Sequence, residues 1–105
     1  MYSKNYANAL KNVLPKLKEL HDAVGTVGSA ATPVEITATF YAAKGGREPD
    51  LDGALVGLGD LLERSGIIDN DRYIKSWDGS RVHSWSEHQQ YIDGLTVFTI
   101  NRFEE

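Results

Sequence analysis

Val34-Glu35-Ile36-Thr37-Ala38-Thr39-Phe40-Tyr41 alternates without a fault: Val34, Ile36, Ala38 and Phe40 fall on one side, Glu35, Thr37, Thr39 and Tyr41 on the other. A period of two over eight residues rich in β-branched and aromatic side chains predicts a strand with one buried and one wet face. Working backwards, Gly25 to Pro33 is a run of small residues closed by proline, which is loop composition. Before it, Ala7, Leu10, Val13, Leu14, Leu17, Leu20 and Val24 recur at steps of three or four among lysines, which predicts an amphipathic helix over residues 4–24. Pro15 lies inside that pattern, so the helix must kink there or restart with Pro15 in its first turn; a kink is the expectation.

Working forwards, Lys44-Gly-Gly-Arg-Glu-Pro49 is a turn-rich, locally basic loop, and Leu51, Leu55, Leu58 and Leu62 then follow helical spacing up to Ser65-Gly66. Gly66 suits a C-terminal cap. Gly53, Gly57 and Gly59 inside this helix each cost about 1 kcal/mol relative to alanine, so close approach of another backbone is the expected compensation. Residues 72–77 and 95–100 (LTVFTI) are the further predicted strands, whereas the mixed stretch 78–94 shows no decisive period. Strands and helices in this order predict an α+β fold with a mixed β-sheet and two main helices, as a single domain over residues 1–105.

Composition narrows the chemistry. The 105 residues contain no cysteine, which removes disulfides, thiolate metal sites and thiol nucleophiles and suits a reducing cytoplasm. No apolar run is long enough to span a bilayer, and the first residues lack a signal-peptide pattern, so no membrane partner and a cytoplasmic location are expected. Eleven Lys and Arg against fifteen Asp and Glu leave a net charge of −4, which argues against a protein that merely tracks phosphates. No glycine pattern matches a phosphate loop, and no organic cofactor is expected. Ser80, Ser84 and Ser86 lie near His83 without the third member of a hydrolase triad.

Two acidic pairs, Asp50-x-Asp52 and Asp69-x-Asp71, each stand where a loop meets a regular element. Carboxylates gathered in a fold repel one another unless a cation joins them, and oxygen-only ligands select hard ions such as Mg²⁺ or Mn²⁺. The same aspartates also serve as helix caps and turn residues, and spacing alone leaves both possibilities open. His21 lies on the apolar side of the first helix and is expected to pack. The five-residue step between His83 and His88 does not align them on one helical face. Trp85 and Tyr91 suit stacking on unpaired bases or an interface, and Trp77 suits the core.

The string Pro49-Asp50-Leu51-Asp52-Gly53-Ala54-Leu55, followed by Leu58, Asp60, Leu61, Leu62 and then Gly66-Ile67-Ile68-Asp69-Asn70-Asp71-Arg72-Tyr73-Ile74, resembles the signature of RusA-like Holliday junction resolvases. In that family a D-x-D-N motif opens a helix, and a G-[VI]-[IL]-x-D-D segment follows it into the next strand. The resemblance implies a small homodimeric, Mg²⁺-dependent endodeoxyribonuclease that nicks branched DNA such as four-way junctions during recombination and repair, of phage or prophage origin and acting in the bacterial host cytoplasm. Mn²⁺ would be a possible substitute for Mg²⁺. It places metal ligands at Asp50, Asp52 and Asp71, with Asp69 assisting.

The family's lysine position is occupied by Val56, so Arg72 beside Asp71 is the expected substitute in a catalytic set of Asp50, Asp52, Asp71 and Arg72. Asn70 replaces an aspartate and Gly53 an asparagine, and the family's first strand has no counterpart before the helix. A sheet without that strand exposes an edge. These departures motivate an alternative: a catalytically silent RusA-like dimer that binds DNA or protein.

Overall fold

Why β1 organises everything follows from its alternation. In the computed structural model, which describes residues 12–46 and 50–104, β1 (Val34–Tyr41) buries Val34, Ile36, Ala38 and Phe40 and turns Glu35, Thr37, Thr39 and Tyr41 away from the core. The other elements are α1 (Leu14–Val24), α2 (Leu51–Ser65), a single 3₁₀ turn (Asp71–Tyr73), β2 (Ile74–Ser76), β3 (Arg81–His83), α3 (Trp85–His88) and β4 (Leu95–Arg102). This is a small α+β fold, with three helices and a four-stranded mixed sheet among the described residues.

The other three strands all pair with β1. β4 pairs antiparallel along its whole length, from Val34 opposite Arg102 to Tyr41 opposite Leu95. β2 and β3 both pair with it in parallel, β2 beside Val34 and Glu35 and β3 beside Thr39 to Tyr41. A strand has only two edges, so β2 and β3 must share the edge opposite β4, as two halves of one interrupted strand. The hydrogen bonds agree: the Phe103 amide donates to the Pro33 carbonyl (2.9 Å), which puts the odd-numbered amides of β4 toward β1. On the other edge the Ala38 amide donates to Ser80 Oγ (3.0 Å) and the Ala42 amide to the His83 carbonyl (2.9 Å). The interruption between β2 and β3 is a turn closed by the Ser80 amide on the Trp77 carbonyl and tied to β1 by Thr37 Oγ1 donating to the Asp78 carbonyl.

One face of this sheet carries the core. α2 supplies Leu58, Leu61 and Leu62, α1 supplies Leu17, and Ile67 and Ile68 insert fully between them. α2 starts after Asp50 and ends at Gly66, whose φ of 88° is the left-handed cap expected from the sequence. Trp77 packs against this core, as expected. His21 rests its ring on the Gly66 turn.

Several sequence expectations change. Described helix α1 starts at Leu14 with Pro15 in its first turn, where a missing amide costs no hydrogen bond, and Val13 before it keeps right-handed helical angles (φ −99°, ψ −41°). Residues 4–11 of the expected helix, and residues 47–49 of the basic loop, lie outside the described residues. The strand expected over 72–77 is confined to Ile74–Ser76, since Asn70 Oδ1 accepts from the Arg72 amide (3.0 Å) and turns the chain before it can extend. The undecided stretch 78–94 holds β3 and the one-turn α3. The final strand extends two residues past Ile100 to Arg102.

Candidate functional site

The acidic pairs sit at stations along α2. Asp50 is the N-cap residue, with no hydrogen bond from its side chain to the helix, and Asp52 lies in the first turn, both exposed. Asp71 is carried past the far half of the same helix: its amide donates to Glu63 Oε1 (3.0 Å), and its Cβ lies 3.9 Å from where a Cβ on Gly59 would stand. At about 1.5 Å of rise per residue, Gly59 is about 10 Å and Glu63 about 16 Å beyond Asp52 along the axis. Two oxygens on one Mg²⁺ lie only about 4 Å apart. Asp69 is held elsewhere, its amide donating to the Gly28 carbonyl (2.8 Å).

Among the described residues no group of three or more His, Cys, Asp or Glu comes together that could hold a metal ion. As placed, Asp50 and Asp52 stand at the start of α2, and Asp71 stands beside its second half. Val56, one turn after Asp52 and 73% exposed, presents an aliphatic side chain on the span between the two pairs. Arg72 turns its guanidinium over the neighbouring Tyr73 ring, 5.2 Å from its centroid.

What the fold does gather is a set of rings around Tyr41, at the C-terminal ends of the parallel strands β1 and β3. Parallel pairing sets His83 beside Tyr41, their rings stacked at 5.3 Å with planes 20° apart. α3 then returns His88 to the other side, where its ring meets Tyr41 edge-on at 5.2 Å and Trp85 at 5.3 Å. Tyr91 completes the group, 4.9 Å from Tyr41 and 5.7 Å from His88. All five rings are partly exposed.

Hydrogen bonds hold this cluster in place. His88 Nε2 meets the Ala42 carbonyl at 2.9 Å, and because a carbonyl only accepts, that nitrogen carries the proton. The Gln90 amide donates to His88 Nδ1 (3.2 Å), so both ring nitrogens are engaged. Ser84 and Glu87 form a reciprocal capping box: Glu87 accepts from the Ser84 amide and hydroxyl, each at 2.9 Å, and faces His83 Nδ1 at 3.3 Å. These bonds, the Ser84 amide foremost, then the Ser84 hydroxyl and His83, hold the Glu87 carboxyl below the usual carboxylate range, against a small opposing effect of desolvation.

Periodicity could not reveal this cluster, since Tyr41 and Tyr91 are fifty positions apart in the chain. The legible signal was the S-x-x-E pattern at Ser84 and Glu87, which marks a helix start and fixes where His83 and His88 lie around it. Lys44, whose amide donates to the Ile92 carbonyl, follows Tyr41 by three residues, and Arg81 lies on the same sheet face as His83. Compared with known proteins, the chain matches no family model, no curated protein and no solved structure. No helix among the described residues is long and apolar enough to cross a membrane.

Proposed function

We propose that the chain is a RusA-like module that binds branched DNA through unpaired bases and leaves the phosphodiester backbone intact. The observation that carries this reading is the partly exposed ring cluster of Tyr41, His83, Trp85, His88 and Tyr91 at the strand ends. Aromatic faces stack on any unpaired base, at about 1–3 kcal/mol per base. Pairs at a branch point lose stacking continuity and open more readily than those in continuous duplex. Two features support binding without hydrolysis: the separation of Asp52 from Asp71 along α2, and Val56 where the resembling family has a lysine. With a net charge of −4, affinity rests on stacking with a modest phosphate contribution from Lys44 and Arg81.

The test measures binding by fluorescence anisotropy on a four-way junction, a single strand and a linear duplex, with Mg²⁺ present and cleavage followed on denaturing gels. Junction and single strand bind more tightly than duplex, none is nicked, and Trp85→Ala weakens junction binding by about tenfold while circular dichroism stays unchanged. Equal affinity for all three DNAs overturns the base-stacking reading. Junction nicking in Mg²⁺ or Mn²⁺ that Asp71→Asn abolishes overturns the silent module and restores the metal-dependent nuclease.

A further inference from the structure

Among the described residues β4 forms one outer edge of the sheet. Because its odd-numbered residues bond to β1, the amides and carbonyls of Thr96, Phe98, Ile100 and Arg102 point away from the molecule, and no described residue pairs with them. Natural edge strands are usually blunted by short length, proline, lysine or a bulge. β4 has eight residues in unbroken register, no proline, no lysine, and a single charge at its end, Arg102. Half of its wet face is apolar, with Leu95 40% and Val97 48% exposed beside Thr99 and Asn101. Leaving such an edge in water invites another strand.

We infer that β4 pairs antiparallel with β4 of a second copy of this chain, about a twofold axis at Thr99, so that two sheets become one. The strand is complementary to itself in that register. Thr96 stands opposite Arg102 of the other copy and Phe98 opposite Ile100, so every outward-facing residue of both copies enters a hydrogen-bonded pair. On the core face, each Phe98 then covers the partner's half-exposed Ile100, an aromatic and β-branched pair of the kind that stabilises sheets. On the wet face Thr99 meets Thr99 and Val97 meets Asn101. No like charges face each other, since the two Arg102 side chains lie at opposite ends of the paired strands. Shifting the register by two residues either way leaves an outward residue of β4 without a β4 partner. This surface lies on the backbone edge and stands independently of what the Tyr41 cluster binds. The resemblance to RusA-like proteins implied a dimer without saying which strand would form it.

Sedimentation equilibrium on the full chain gives twice the chain mass, and Thr99→Lys, which sets two ammonium groups face to face at the axis, weakens association at least about tenfold. Thr99 is exposed on the wet face, so the substitution leaves the core intact. Register is tested with single cysteines, since the chain has none. Opposed Thr99 positions form a non-hydrogen-bonded pair with Cα atoms about 4.5 Å apart, within disulfide reach, whereas the two Val97 positions are about 13 Å apart. Thr99→Cys therefore cross-links on mild oxidation and Val97→Cys does not. A monomeric wild-type chain overturns the inference, because the edge is then covered from within the same chain. Equal cross-linking of both variants overturns the register, and a Thr99→Lys chain that still dimerises with undiminished affinity overturns the axis.

Discussion

Glycines show how differently one residue type is used along this chain. Gly53 occupies the first turn of α2, and a Cβ there would meet only Asp50 Oδ2, at 4.0 Å. The expectation that close approach compensates for the helix glycines fails at this position. Gly59 does touch its surroundings, with Ile74, Trp77 and Asp71 between 3.6 and 3.9 Å from an added Cβ, which is ordinary contact. Gly53→Ala is therefore expected to stabilise the fold by about 0.5–1 kcal/mol, measured as a raised midpoint in urea. Gly94 is the opposite case: its φ is +78° and an added Cβ would lie 2.9 Å from the Tyr41 carbonyl oxygen. Gly94→Ala should cost more than about 1 kcal/mol on the same measurement, because the backbone must move where β4 begins. Equal midpoints for the two variants would contradict this assignment.

Among the elements, α3 depends most on a single side chain. A four-residue helix has almost no internal hydrogen bonding, so its start at Ser84 and its hold on His83 rest on Glu87. The folded-state pKa of Glu87 is lowered, so the stability it contributes is present above the ordinary carboxylate value and is lost as pH falls through the lower folded value. In an NMR titration the Ser84 amide shift should move with a midpoint below the ordinary glutamate value of 4.5, and Glu87→Gln should abolish that movement while keeping an oxygen acceptor. A Ser84 midpoint at or above that value would show that the capping box does not hold the carboxylate. The sequence marked this helix start through S-x-x-E, yet 78–94 resisted assignment because segments of three or four residues are too short to show a period. β2 and β3 are extended chiefly because β1 offers an edge for them to bond.

Taken as a whole, the described residues form one sheet with α1 and α2 on one face, the rings at one end and the outer edge of β4 open on one side. The acidic residues that dominate its charge do not form one group: Asp50 and Asp52 start α2, Asp71 lies two turns or more along it, and Asp69 is anchored beside Gly28. The sequence by itself determined β1, α2 with its Gly66 cap and the α+β class, because each follows from periodicity or capping within a few neighbouring residues. Only the tertiary structure decided which strands flank β1, that Tyr41 gathers His83, His88 and Tyr91, and that the two aspartate pairs stay apart. Those outcomes depend on pairing between residues distant in sequence, and local patterns carry no information about which partner a strand edge will find.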